Sequence, residues 1–314
     1  MLVRRTAAGA ALLLLLSATL SAAVVGQSPS SSVAPAASAA ASSAAPASSP
    51  SPSSTCLPLP TLAPVAAASA SPDPAAADEP DLSVFAAASL TGAFSDLSDP
   101  WTSAHPGSSL VLSFDASSAL RAQIEQGAPV DVFASADTRN PQALIDECLS
   151  PAPMTVFASN TLVIVVPTGN PAGIASPADL ARPGVRIVAA GPDVPITTYA
   201  RQVIANLAAT PGYPADYVAA VTANTVSEED NVKAVLAKIE LGEGDAAIVY
   251  ATDAASSDQV QSVPIPDASN VVATYGAVAV GASSEPDLAA SFLQFLTEPQ
   301  AQGVLAGYGF LPAP

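Results

Sequence analysis

The chain has 314 residues, of which 27 are acidic and nine basic, giving a formal net charge of −18, and half of its residues are hydrophobic. A field of that sign excludes nucleic acid and anionic lipid as partners recognised through bulk charge. With two cysteines and one histidine in all, no cluster has zinc-ligand spacing and no cysteine–histidine pair suits a protease.

Arg4 and Arg5 precede an apolar run from Ala7 to Val25 that contains five consecutive leucines and ends at Gly26-Gln27. This is the layout of a secretory signal, expected over residues 1–26. The run is also long enough to remain as an uncleaved membrane anchor. Cys56 lies in Ser-Ser-Thr-Cys, without the apolar residues that precede an acylated cysteine, so a lipid anchor is not expected. Residues 27–80 are almost wholly Ala, Ser and Pro. Having little to bury, they are expected to form a disordered, partly extended tether. The exported part holds seven basic against 27 acidic residues, a net of −20. Cys56 and Cys148 can pair in an oxidising compartment, stay free, or pair between molecules, and the sequence favours none of these.

The folded body is expected from Asp81 onward. Leu82, Val84 and Phe85 form a short apolar strand, small alanines follow, and Ser89 stands where a helix N-cap belongs. The helix carries Leu90, Phe94 and Leu97 on one face and runs toward Trp101; His105-Pro106-Gly107 ends it, leaving His105 as a solvated turn residue. Leu110–Phe114 is the next strand, and Asp115-Ala116-Ser117-Ser118 repeats the passage from strand through serine to helix. That helix stops at Gly127, and Val130–Phe133 is a third strand.

Thr161–Val166, the most β-branched run, reads as a crossing strand. A short helix at Ser176–Leu180 and a strand at Val185–Ala189 follow, and Pro195 fits the first position of a helix carrying Tyr199, Val203 and Ile204. The polar stretch Ser227–Asn231 reads as a turn that starts a helix with Val232, Val235, Leu236 and Ile239 as its apolar stripe. Asp245–Tyr250 is a strand, Val271–Val280 a long return strand, and two helices close the chain from about Pro286. Strands alternating with helices in this way imply doubly wound α/β architecture. Two lobes joined by two crossing strands are expected, lobe one over 81–160 and 275–314 and lobe two over 161–274. Ligands of such sheets bind at the carboxyl ends of the strands, where the turns at Ser89, Ser117, Pro195 and Asn231 all open.

Catalysis finds little support. His105 gives no base for a serine triad, and no phosphate-cradling glycine loop is present. Asp137, Glu228, Glu229 and Asp230 are candidates for a carboxylate site, yet solvated acids near helix starts explain them more simply. Binding fares better. The helix starts at Ser89, Ser117-Ser118, Val194-Pro195-Ile196 and Asn231-Val232 offer backbone N–H groups, and Tyr250 offers a phenol. A cap or a sheet-edge tyrosine explains each alone; together they describe neutral donors around an oxyanion.

The same residues carry a family resemblance. Val84-Phe-Ala-Ala-Ala-Ser-Leu-Thr91, Phe114-Asp-Ala-Ser-Ser-Ala-Leu120 and the block Gln123–Asp137 resemble the extracytoplasmic molybdate-binding proteins of ABC transporters. So do Val194-Pro195 with Tyr199-Ala200, Glu229-Asp-Asn-Val232, Ile248-Val-Tyr250 with Asp253, and Tyr308-Gly-Phe310. The resemblance spans Leu82 to Pro314 and omits the tether. It implies a bilobed, periplasmic-binding-protein-like fold of type II that takes molybdate or tungstate without a cofactor or a further metal. Such a protein is expected to act as an exported monomer that serves a membrane permease and has no catalytic activity. Carried over, Ser89 and Ser117 would give hydroxyl and N–H groups, Ile196 and Val232 backbone N–H groups, and Tyr250 its hydroxyl. Sulfate or another tetrahedral oxyanion is the alternative ligand, and a carboxylate-dependent secreted hydrolase the alternative class.

Two departures stand out. Asp115 puts a carboxylate two residues before Ser117, so it is expected to turn away from the anion or to accept from a loop N–H. Ile196-Thr197 replaces a smaller pair and is expected to narrow the pocket. Arg121, Arg139 and Arg201 are expected at the surface or bracing the lobes, because local donors suffice. Hydrogen bonds to charged groups contribute about 1.5–3 kcal/mol each. Distant carboxylates are screened over about 8 Å at physiological salt. A pocket of donors alone also has no acceptor for the proton of hydrogen phosphate.

Overall fold

The structure, a computed structural model, describes residues 80–314. The signal, the tether and Cys56 lie outside these residues. Cys148, the only cysteine among them, is disulfide-bonded.

The first lobe begins with β1 (Leu82–Ala87), a 3-10 turn at Ala88–Leu90 and α1 (Thr91–Ala104). There follow β2 (Leu110–Asp115), α2 (Ser117–Glu125), β3 (Val132–Ser135), α3 (Arg139–Asp146) and β4 (Thr155–Asn160). The second lobe holds β5 (Leu162–Pro167), a 3-10 turn at Pro177–Ala181, β6 (Ile187–Ala190), α4 (Pro195–Ala208) and α5 (Tyr217–Ala223). It continues through β7 (Thr225–Glu229), α6 (Val232–Glu240), β8 (Ala247–Tyr250), α7 (Ala251–Ala255) and β9 (Val260–Val263). The chain then returns to the first sheet as β10 (Ala273–Ala279) and ends in α8 (Pro286–Phe295) and α9 (Pro299–Gly307).

The first sheet has the order β2-β1-β3-β10-β4. β1 lies parallel to β2 and β3, and β10 runs antiparallel to β3 and β4. Leu82, Val84 and Ala86 are buried at alternate positions of β1, and Phe94, Leu97 and Trp101 of α1 pack with Phe292 and Phe295 of α8. In the second lobe β5 pairs antiparallel with β8 and β9, and β6 pairs parallel with β7. A bridge between Ile187 and Ala246 joins these two groups.

Passage between the lobes is short. β4 ends at Asn160 and β5 starts at Leu162. The returning segment is held there by Asn270, whose side-chain amide donates to the Leu162 carbonyl at 2.9 Å and accepts the Leu162 N–H at 3.3 Å. A side chain thus supplies the pairing that a backbone ladder would make inside a sheet.

Three sequence expectations differ from the structure, and several short elements (α3, β4, α5, α7 and β9) were not expected. Ser227–Glu229 is not a turn but part of β7, whose half-exposed, polar alternation resembles a loop when read in sequence. The strand β9 and the helix α5 are too short to leave a clear period. Ser89 caps no helix: it lies inside the 3-10 turn, and its hydroxyl points to another strand. His105 is half-buried, its ring stacked on Trp101 with centroids 3.6 Å apart.

Candidate functional site

Ser89, Ser117, Ile196, Val232 and Tyr250 all line one small cavity, together with Ala87, Ala88, Ala116, Ala136, Val194, Pro195 and Asn231. Each comes from a strand's carboxyl end or from the helix that follows. Ser89 follows β1, Ser117 opens α2 after β2, and Tyr250 is the last residue of β8. Ile196 is the second residue of α4, whose first is Pro195, and Val232 is the first of α6. First-turn N–H groups have no intrahelical acceptor, and the helix dipole places partial positive charge beside them. Two lobes therefore aim three helix starts at one point.

The side chains around this point are engaged in a particular order. Ser117 Oγ accepts the backbone N–H of Ala136 at 3.1 Å, which leaves its own proton for another acceptor. Ser89 Oγ lies 3.0 Å from the hydroxyl of Tyr275 on β10. The Tyr250 hydroxyl, on a residue 1% exposed, has no hydrogen-bond partner among the described residues. A buried hydroxyl left unpaired costs on the order of 1–3 kcal/mol, so its presence at this cavity points to a ligand. Burial raises the hydroxyls of Tyr250 and Tyr275 well above the ordinary tyrosine value, and nearby tyrosines and carboxylates add to it. Both are neutral donors at any physiological pH.

Charges near the cavity are committed elsewhere. Asp115 Oδ1 accepts the Ala116 N–H at 2.8 Å and the Asn231 side-chain amide at 2.9 Å, so it faces donors of both lobes. The Asn231 oxygen in turn accepts the Ala234 N–H and caps α6. Lys233 is drawn to Asp253 at 2.9 Å, away from the cavity. Burial pushes the Asp253 carboxyl up, and the Lys233 charge offsets part of that rise. Arg121 pairs with Glu125, Arg139 reaches Thr198 across the lobes at 3.5 Å, and neither lines the cavity. The Thr197 hydroxyl turns away to the carbonyls of Ala190 and Gly191, so of the bulky pair only Ile196 meets the cavity.

The carboxylates considered for catalysis do not converge. Asp137 accepts from Ser135 and from Asn140 at the start of α3. Glu229 is held by Lys238 and Ser227, while Glu228 and Asp230 are exposed. Sequence reasoning missed Tyr275, which lies 186 positions from Ser89, and the Asp115–Asn231 contact. The one signal for Tyr275 was a lone hydroxylated ring within an apolar strand. A larger cavity of about 360 Å³, mostly apolar, lies between α4 and the β6–β7 strands and shares only Ile196 with the site.

A two-lobed α/β body with neutral donors converging in its cleft defines a solute-binding protein built for a small anion. The chain belongs to the bacterial extracellular solute-binding protein family, whose model matches residues 82–311. The chain is similar to the molybdate-binding protein ModA of Mycobacterium tuberculosis, 37% identical over 228 residues that cover 72% of this chain and 83% of that one. It is also similar to ModA of Escherichia coli, 31% identical over 75% of this chain and 91% of the other. The fold matches the periplasmic molybdate-binding protein of Azotobacter vinelandii with a TM-score of 0.62, at 23% identity, over 74% of this chain and all of that one. Membership of this family implies binding rather than catalysis, outside the cytoplasm. Among the described residues no helix is long and apolar enough to cross a membrane.

Proposed function

We propose that this protein captures molybdate, or its congener tungstate, between its two lobes and delivers it to the permease of an ABC transporter. The observation that carries this reading is the Tyr250 hydroxyl, unpaired among the described residues, on a residue that lines one cavity with Ser89, Ser117 and the starts of α4 and α6, where no described lysine or arginine lines the space. Ser89 and Ser117 donate through hydroxyl and N–H groups, Ile196 and Val232 through backbone N–H groups, and Tyr250 through its phenol. Hydrogen bonds to a charged ligand contribute about 1.5–3 kcal/mol each, enough for tight binding without a cation.

The receptor works as a monomer without cofactor or catalytic activity, with lobe one over 81–160 and 275–314 and lobe two over 161–274. It is exported by its N-terminal signal and stays tethered to the membrane where that signal is retained. Calorimetry of the purified protein with molybdate, tungstate, sulfate and phosphate tests the reading. Molybdate and tungstate should bind far more tightly than the other two; equal affinity for sulfate would overturn it.

A further inference from the structure

One helical turn behind the anion site lies a charge that the site's donors do not use. Asp253, 0% exposed, stands on α7, which begins directly after Tyr250. Its carboxylate meets Lys233 Nζ at 2.9 Å, and no other side-chain partner reaches it among the described residues. The same ammonium donates to Ser256 Oγ at 3.2 Å, and that hydroxyl donates in turn to the Asp253 carbonyl at 2.7 Å. Two acceptors on one short stretch of chain thus seat Lys233.

Lys233 is the second residue of α6, immediately after Val232. Both members of the pair are therefore chain neighbours of cavity-lining residues, and neither lines the cavity. Lys233, a third exposed, can be solvated by water and does not need a buried partner. What calls for a reason is the acid, because a carboxylate in the interior is costly unless a cation is held against it. Apart, the two would place a positive charge at the helix end that faces the anion and a negative charge behind Tyr250. Together they sum to zero. At an effective permittivity of about 20, two unit charges about 10 Å apart still shift an equilibrium about tenfold, and salt screens a buried charge little.

We infer that Asp253 is a positioning residue for the anion site: it seats Lys233 on α7 and cancels its charge, so that neutral donors alone set how tightly the ion is held and how fast it leaves. The inference rests on the anion site proposed above and deepens it. A receptor that must hand its ion on has a use for such a restraint, since an uncancelled cation would slow release.

The experiment follows molybdate and sulfate on wild type, Asp253→Asn, Lys233→Met and the double variant, by calorimetry for affinity and stopped flow for release. Urea melts establish that each protein is folded. If Lys233→Met, which strands a buried acid, does not fold, Asp253→Asn against the double variant isolates the Lys233 charge. Asp253→Asn should bind molybdate about tenfold more tightly, chiefly through slower dissociation. Sulfate should gain by the same factor, because a charge at that distance does not read the size of the ion. Lys233→Met should bind no more tightly than wild type, and the double variant should return to within about threefold of it. A brace that only holds α6 against α7 predicts the opposite sign, with Asp253→Asn weakening both anions. That result, an unchanged affinity, a gain confined to one anion, a gain in Lys233→Met, or a gain that survives in full in the double variant overturns the inference. Wild type that prefers sulfate to molybdate would refute the proposed ligand instead, and the order of the variants toward sulfate would still report on Asp253.

Discussion

The carboxylate of Asp115, at the end of β2 in the first lobe, lies 2.9 Å from the side-chain amide of Asn231, the N-cap of α6 in the second. One negative group beside an anion site is thus turned into a fastening between the lobes. Its acceptor oxygen matters for this contact, whereas its charge opposes the ligand. Asp115→Asn retains an acceptor and removes the charge, so it should bind molybdate at least as tightly as wild type. Asp115→Ala removes both and should raise Kd by about tenfold, chiefly through faster dissociation. Stopped-flow release of molybdate checks the order of the three proteins.

Tyr250→Phe should separate stability from binding. The hydroxyl has no partner among the described residues, so removing it relieves a buried unpaired donor and should leave the unliganded fold as stable or more so, by up to about 1 kcal/mol. The same change should weaken molybdate by about tenfold or more. Urea melts without ligand and calorimetry with it give the two readings.

Ser89→Ala and Ser117→Ala should each weaken molybdate by about tenfold to a hundredfold. They should differ in stability. Ser117→Ala strips the Ala136 N–H of its acceptor inside the first lobe, at a cost of about 1–3 kcal/mol in denaturant unfolding. In Ser89→Ala the orphaned group is the Tyr275 hydroxyl, which can turn toward the space the serine vacates, and the loss should be smaller.

Asp131, within the Gln123–Asp137 block, makes a prediction about pH. Burial alone would raise its carboxyl, but hydrogen bonds from Ser283, Ser83 and the Glu285 N–H outweigh that and bring it below its ordinary 3.8. A carboxyl lowered in the folded state stabilises the fold above the unfolded value, and this contribution is lost as pH falls through the folded value. Wild type should therefore lose stability below about pH 4. Asp131→Ala should be less stable by about 3 kcal/mol at neutral pH, with a flatter acid limb and unchanged molybdate affinity. Thermal melts across pH, with calorimetry at neutral pH, check both parts.

The tyrosines carry the opposite sign. Tyr199 is pushed up to about 12 by burial and by the Asp137 charge, and Tyr250 and Tyr275 are also raised. Groups raised in this way stabilise the fold below the unfolded value near 10, and the contribution is lost as pH rises beyond it. Stability should fall above about pH 10, and absorbance of tyrosinate should rise only with unfolding. No change in the state of these tyrosines is expected over the neutral range.

What could be read in the sequence was local. Ser117, Ile196 and Val232 announce themselves because a helix begins just after a strand, and Pro195 marks one such start within two residues. Tyr250 was legible as the last residue of a strand. Ser89 lines the cavity without the helix cap its position suggests, its hydroxyl meeting Tyr275 instead. The contacts around these groups, Ser89 to Tyr275 and Asp115 to Asn231, join residues more than a hundred positions apart and depend on how strands pair. No local pattern encodes them. β7 escaped notice because only half of it is shielded, so serine and glutamate occupy positions that a central strand would give to valine.

Asn270 holds the returning chain to Leu162 with two bonds from a single side chain, at the place where neither sheet is continuous. Among the described residues no row of ladder bonds spans the two lobes, and the contacts described across them are single side-chain bonds such as Asp115 to Asn231 and Arg139 to Thr198. The lobes cannot drift apart at this joint, because β4 and β5 are separated by one residue. Such a pivot leaves each jaw with its own interior intact when an ion is admitted or released, since the described sheets of the two lobes share no strand pair.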